Sequence, residues 1–378
     1  MKQALMVATV PSMIGQFNVN NIEILQGLGY KVGVACDFTD RSVWDEEQVD
    51  KFIRLLDEKK VNYYQIDFSR NPLKVNANIR AYRQLKKVVK EKGINLIHCH
   101  TPVAGVISRI IAQKTKTKII YTAHGFHFYD GAPLKNWIFF YPIEKFLSRW
   151  TDVLITINRE DYMRAVKKLH AKDTVYVPGV GVDIDRIDNH FSDVEKKRNE
   201  LGLKREDVMI LSVGELSARK NQEIVIKTLG AIGDAKFKYY IAGKGDIKER
   251  LMQLAQSTGV DNNVFFLGFR TDVIDLCKAA DLFVLPSLQE GLPVALMEAI
   301  GCKTKAVCSE IRGNKDLVCS RQQMFNPKSV ASLKKCVFEN INRESDLIEE
   351  KNYEKLRENC DLEKISLRMR SIYESNNS

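Results

Sequence analysis

Short apolar runs alternate with longer stretches of helical periodicity along almost the whole chain, and this alternation limits the folds open to it. Runs at 4–9, 31–36, 63–68, 96–100, 119–124, 153–157 and 175–177 read as strands. Between them, 20–28, 78–92, 104–113, 136–149 and 160–169 read as helices. This is the β-α-β rhythm of a parallel sheet covered by helices. It breaks once, at the turn-rich Pro178-Gly-Val-Gly-Val-Asp-Ile-Asp185 and the polar stretch 188–205. It then restarts, with strands expected at 208–213, 238–242, 264–267, 282–285 and 305–308 and helices at 222–229, 247–257, 273–280 and 294–300. The tail, 329–378, reads as helical and charged.

A length of 378 residues suits two domains of this kind. We therefore expect an α/β protein of two doubly wound, Rossmann-like domains, 1–185 and 186–355, with a C-terminal helix at 356–378 packing back on the first. Ligands of such sheets gather at the carboxyl ends of the strands, so two facing domains would leave a cleft between them.

Composition removes several classes. With 44% hydrophobic and 28% charged residues, the chain is neither disordered nor fibrous. Its 8 cysteines form no C-x-x-C pair, which argues against zinc ribbons and thioredoxin-type redox motifs and for reduced, cytosolic thiols. The opening MKQALMVATV is a short apolar run that meets Pro11, so no secretory leader is expected. No run approaches the ~18 apolar residues of a membrane span. The net charge of +10 is unevenly placed: 1–185 holds 27 Lys and Arg against 19 Asp and Glu, the remainder 31 against 29. An anionic partner is expected for the first half. The aromatic-rich base-stacking motifs of nucleic-acid modules are missing, so a membrane surface or lipid phosphate fits better.

Three segments of the second half carry chemistry. Ser212-Val-Gly-Glu-Leu-Ser-Ala-Arg-Lys-Asn221 runs from a strand through a turn into a helix. Gly214 permits close backbone approach there, and Arg219 and Lys220 stand where a phosphate would also meet helix N–H groups. Ile241-Ala-Gly-Lys-Gly-Asp-Ile247 ends a strand on Gly243 and Gly245, half a dinucleotide fingerprint and a backbone platform for a nucleotide. In 281–299 a strand is expected to end at Ser287, Glu290 and Gly291 lie on a loop, Pro293 suits a first helical turn, and Glu298 follows. A carboxylate at that place can take two hydrogen bonds from a ribose diol, and one on the loop can hold sugar hydroxyls.

Ser287-x-x-Glu290-Gly291 with Glu298-Ala299 is similar to the E-x7-E signature of the retaining, GT-B-fold glycosyltransferases of family four. Gly243-x-Gly245, the Gly268 region, Val177-Pro-Gly-Val-Gly-Val-Asp183, Leu96-Ile-His-Cys-His100 and Tyr121-Thr-Ala-His-Gly125 fit the same family. The stretches 123–137 and 157–162 resemble bacterial enzymes of capsular, exopolysaccharide and lipid-linked oligosaccharide assembly.

The resemblance implies a GT-B fold and a hexosyl or N-acetylhexosaminyl transferase that takes a UDP-sugar. The acceptor would be a polyprenyl-diphosphate-linked or other saccharide, reached at the inner face of the cell membrane. It also implies roles. Lys220 binds the donor diphosphate, Glu298 the ribose, and Glu290 with the Gly291 and Leu292 amides the donor sugar. Gly15, on the first loop, lies under the diphosphate. His124 sits beside the reacting sugar, with His100 and His127 on the acceptor side. Where many members carry an Arg, five residues before the Lys, this chain has Glu215; either Arg219 supplies the missing charge or Glu215 turns away.

Four of the six histidines, His98, His100, His124 and His127, fall close together, which raises a metal site. The resemblance implies none, and no cofactor beyond the nucleotide-sugar substrate. Asp183-Ile-Asp185 looks like a metal-binding D-x-D but reads as turn chemistry. Two alternatives remain: a non-hydrolysing sugar-nucleotide epimerase, which would change its substrate with no acceptor, and a catalytically silent sugar-nucleotide binder.

Overall fold

A computed structural model describes residues 2–376. They divide into two compact units, one running to Val180 and resuming at Ile365, the other spanning Gly181–Lys364. The break falls ahead of the expected 185/186, and the returning segment begins at Ile365 and not at 356. The cause is local. Val182 N–H donates to Cys360 O at 2.9 Å and Leu362 N–H to Val182 O at 3.0 Å, which ties 181–185 to the second unit. Asp183 caps the next helix by accepting from Arg186 N–H at 2.8 Å, the turn chemistry expected of it.

The first unit carries strands β1 Gln3–Val7, β2 Lys31–Cys36, β3 Asn62–Gln65, β4 Leu96–His100, β5 Lys118–Ala123, β6 Val153–Thr156 and β7 Asp173–Tyr176. Its helices are α1 Pro11–Phe17, α2 Val19–Gly27, α3 Glu46–Glu58, α4 Val75–Glu91, α5 Pro102–Thr115, α6 Leu134–Ser148 and α7 Arg159–Lys168. The sheet order is β3-β2-β1-β4-β5-β6-β7, with every pair parallel. Side chains alternate across it. Ala4, Met6 and Ala8 enter one core layer, Leu5 and Val7 the other.

In the second unit lie β8 Val208–Val213, β9 Phe237–Ala242, β10 Val264–Gly268, β11 Leu282–Leu285, β12 Ala306–Ser309 and β13 Met324–Phe325. Its helices are α8 Ile184–Asp188, α9 Val194–Glu200, α10 Gln222–Ile232, α11 Lys248–Ser257, α12 Val273–Ala279, α13 Val294–Gly301, α14 Asn314–Leu317, α15 Val330–Ile341 and α16 Leu347–Asn359. The order β10-β9-β8-β11-β12-β13 is the doubly wound, Rossmann-like arrangement, as in the first unit. Helix α17, Leu362–Ser375, returns to the first unit and buries Ile365, Met369, Ile372 and Tyr373 in the layer that holds Met6.

Helix α6 is held in a fixed rotation. Arg109 of α5, fully buried, makes a two-pronged ion pair with Glu144 at 2.7 and 3.0 Å while its guanidinium lies over the Tyr121 ring. Trp137, Phe140 and Tyr141 turn toward the core, which leaves Leu134, Ile138, Phe139 and Phe146 exposed.

Candidate active site

In an open parallel sheet the loops at the reversal of strand order form the natural ligand crevice. In the second unit that reversal lies between β8 and β11, and the chemistry-bearing segments leave these two strands. The loop after β8 is stitched to the loop after β11. Asn221, in the left-handed region with φ 57°, donates from Nδ2 to Pro286 O and Pro327 O, each at 3.0 Å. Leu288 N–H donates to Arg219 O at 2.8 Å, and Arg219 Nη1 to Gln289 O at 3.1 Å.

These ties bring the cations onto Glu290. Lys220 Nζ is 2.7 Å from Glu290 Oε1 and Arg219 Nη1 is 3.3 Å from Oε2. Glu290 is 8% exposed. Burial alone would raise its pKa, but the two cations hold it below the usual carboxylate value. Glu215 is exposed and 3.8 Å from Arg219 Nη2, so it shares that arginine with the buried Glu290. Glu298 sits inside α13, half-buried; burial raises its pKa, and Arg186 opposes the shift.

Buried polar oxygens without a hydrogen-bonding partner lie nearby, Ser217 Oγ in the β8 loop, Gln222 Oε1 at the start of α10 and Asn314 Oδ1 at the start of α14, while Ser287 joins the cations in holding the Glu290 carboxyl down. Buried polar atoms left unmatched are satisfied by ordered water or by a ligand that displaces it. Sequence reasoning missed Ser217, Asn221 and Asn314 as members of this site. The strand ends at Leu285, where the apolar run 282–285 put it and two residues short of Ser287, and Pro293 is the N-cap of α13. Gly243 and Gly245 have a packing reason of their own. A Cβ would lie 1.9 Å from Gly214 O at the first and 2.2 Å from Leu216 O at the second, so the β9 loop lies directly on the β8 loop. Gly291 and Leu292 lead from Glu290 into α13.

In the first unit the histidines gather at the ends of β4 and β5. His98 is buried, its Nδ1 2.7 Å from Tyr373 Oη and its Nε2 2.8 Å from Thr122 Oγ1. His100 Nδ1 is 3.0 Å from His124 Nε2. The next residue, Thr101, is held at φ 66°, a costly value for a β-branched residue, and its Oγ1 accepts from Thr9 N–H at 3.1 Å. Burial lowers all three imidazole pKa values, to about 3 at His98 and about 4 at His124, and the neighbouring rings deepen the effect at His98 and His100. A cavity of about 30 Å³, room for a water or so, is lined by His100, His124, Thr122, Ile155, Val177 and Met369 among others.

His100 is 1% exposed, bonded to His124, and lines the same small cavity. One expectation is corrected here. Gly15 lies inside α1 and not on a loop; a Cβ there would come within 2.3 Å of the Trp44 ring, so the glycine makes room for an indole. His127 is half-buried and stacked on Phe140 at 4.4 Å. Among the described residues no group of three or more His, Cys, Asp or Glu side chains is disposed to hold a metal ion.

Comparison with known proteins places both halves. Residues 16–186 match the family described as Glycosyltransferase Family 4, and residues 193–361 match Glycosyl transferases group 1. The chain is 33% identical over 326 residues to the putative glycosyltransferase EpsD of Bacillus subtilis, covering 84% of this chain and 81% of that one. It is 29% identical over 251 residues to the UDP-Gal:alpha-D-GlcNAc-diphosphoundecaprenol alpha-1,3-galactosyltransferase of Escherichia coli, covering 64% of each. Among solved structures, Anabaena Alr3699/HepE in complex with UDP and glucose shares the fold, with a TM-score of 0.80 at 19% identity over 99% of this chain and 100% of that one.

Proposed function

The chain belongs to the group 1, family 4 glycosyltransferases, and from that premise we propose that it moves a sugar from a UDP-sugar to a polyprenyl-diphosphate-linked saccharide, with retention at the anomeric carbon, in the building of a surface polysaccharide. The observation that carries this reading is the buried Glu290 gripped by Lys220 and Arg219 among unmatched polar atoms at the β8–β11 reversal. Support for the donor and acceptor classes comes from the E. coli relative, named for UDP-Gal and a diphosphoundecaprenol-linked sugar, and from HepE with its UDP and glucose.

The barrier is departure of the nucleoside diphosphate while positive charge grows on the sugar. Lys220 and Arg219 stabilise the leaving charge, and fixed cations in a partly buried site do so without reorganising. The acceptor oxygen bonds to the anomeric carbon as the carbon–phosphate oxygen bond breaks, and the acceptor proton passes to the leaving phosphate. Glu298 holds the ribose, Glu290 the donor sugar hydroxyls, and His124 contacts the transferring sugar. With two cations supplying the positive charge, the reaction needs no resident metal in this reading.

The acceptor class implies work at a membrane face. No helix among the described residues is long and apolar enough to cross a membrane. Helix α4 buries Ala81, Leu85 and Val89 and exposes Arg80, Arg83, Lys87 and Lys90, while α6 exposes Leu134, Ile138, Phe139 and Phe146. Basic and apolar faces on one unit suit reversible attachment to an anionic cytoplasmic leaflet.

A panel of UDP- and GDP-sugars offered with polyprenyl-diphosphate-linked saccharides tests the proposal. Acceptor-dependent consumption of a UDP-sugar, with the anomeric configuration kept by NMR, is expected. Donor conversion without acceptor would mean an epimerase, and binding without turnover a silent binder.

A further inference from the structure

His100 Nδ1 and His124 Nε2 are 3.0 Å apart, and two neutral rings share a proton at such a contact in only two ways. Either His100 donates from Nδ1, or His124 donates from Nε2. His100 Nε2 decides between them, because it is buried and meets no partner. If His100 donates, that orphan atom is a bare lone pair. If His124 donates, the orphan must carry an N–H. A buried N–H without an acceptor is the rarer and costlier of the two. The cavity that His100 lines presents Asn18, Asn20, Asn21 and Thr122 as well as Ile155, Ile157, Val177, Ile365 and Met369, yet none of these side chains hydrogen-bonds His100 Nε2. The backbone fixes the ring further, since Thr101 is pinned at positive φ by its bond to Thr9.

We propose that His100 is a positioning residue: it donates from Nδ1 to His124 Nε2 and so locks His124 as the tautomer protonated on Nδ1. His124 then offers the substrate an N–H donor and no basic lone pair. It polarises or holds a sugar oxygen and does not deprotonate the acceptor. The inference rests on the sugar-contacting role given to His124 above. Burial keeps both rings neutral near pH 7, the state in which a tautomer has meaning.

The test is two-bond nitrogen–proton NMR on the full chain labelled with ¹⁵N-histidine, each of the six histidines assigned by substitution. His124 should show a protonated Nδ1 and an unprotonated Nε2. His100→Phe, which removes the donor and keeps a ring, should shift His124 toward the Nε2-protonated form. His100→Asn, whose Nδ2 takes the place of Nδ1, should restore the original form. In the same variants kcat should fall ~10–100-fold in His100→Phe, the worth of a lost hydrogen bond to a reacting group, and recover in His100→Asn, with UDP affinity unchanged in both. A proton on Nε2 of His124 in the wild type, or a tautomer unmoved in His100→Phe, overturns the proposal. A switched tautomer with unchanged kcat upholds the lock and overturns the role assigned to His124.

Discussion

Lys220 Nζ lies 2.7 Å from Glu290 Oε1, so the cation assigned to the diphosphate and the carboxylate assigned to the sugar hold one another directly. Their effects on nucleotide binding should therefore have opposite signs. Lys220→Ala removes a charged contact worth about 1.5–3 kcal/mol, so UDP affinity should fall ~10–100-fold and transfer with it. Glu290→Gln removes a negative charge beside the diphosphate cations, so UDP should bind at least as tightly while transfer is lost. Calorimetric titration of UDP into both variants checks the pair; equal weakening in both would dissolve the assignment.

Glu298 is half-buried, and Arg186 is the one charged group opposing the burial that raises its pKa. Glu298→Ala should leave the melting temperature nearly unchanged and weaken UDP binding by about tenfold to a hundredfold. Titration with UDP and with inorganic pyrophosphate, which has no ribose, separates the ribose contact from the phosphate contact, since only the first should respond.

Gly15 leaves space that the Trp44 ring fills, and Trp44 in turn packs edge-on against Phe52 at 5.7 Å. Gly15→Ala should destabilise the first unit by about 1–3 kcal/mol through overpacking. Adding Trp44→Phe should recover part of that loss. Denaturant unfolding of both single variants and the double variant measures the coupling; simple additivity would count against this packing role.

The buried imidazoles make stability depend on pH. His98 and His124 are held near 3 and 4 in the folded chain, against 6.5 when exposed. Between pH 6.5 and about 4 the unfolded chain therefore binds protons that the folded chain refuses. Stability should fall as pH falls through that window, by up to ~1.4 kcal/mol per pH unit for each histidine. Melts at pH 7 and pH 5 should differ less in His98→Gln than in the wild type; an equal difference would exclude His98 as a source.

Liposome flotation tests membrane attachment. Each Lys or Arg near an anionic bilayer contributes about 1 kcal/mol and is screened by salt. Changing Arg80, Arg83, Lys87 and Lys90 to Glu should abolish flotation with anionic vesicles, and Ile138→Ser with Phe146→Ser should weaken it while leaving its salt dependence. Equal behaviour on neutral and anionic vesicles would return both faces to the role of solvated surface.

The two parallel sheets were legible because most strands are short apolar runs and most crossovers carry helical spacing. Helix α3 was not read, although Asp45 and Gln48 form a capping box and Val49, Phe52 and Leu56 lie on one face. Pro11 looked like a stop but occupies the first turn of α1, where a missing N–H costs nothing. Strand β13 has two residues and draws its definition from pairing with Cys308 and Ser309, which no local pattern announces. At the site, spacing exposed Lys220, Glu290 and Glu298, since they share two short segments. The long-range ties were hidden: Asn221, beside Lys220, reaches Pro327 across the second unit, and in the first unit Tyr373 meets His98 from 275 residues away.

That last contact bears on how the molecule is made. The first unit owns both early residues and those from Ile365 onward, so the chain leaves it at Val180 and re-enters after Lys364. A ribosome delivers the second unit's whole sheet before it delivers the helix that seals the first. Until Ile365, Met369, Ile372 and Tyr373 emerge, one apolar layer of the first unit, though packed by α1, α2 and α3, lacks part of its cover and His98 lacks its phenol. The unit begun first is completed last, and a fragment cut at the 180/181 junction would stay in that unfinished, aggregation-prone condition.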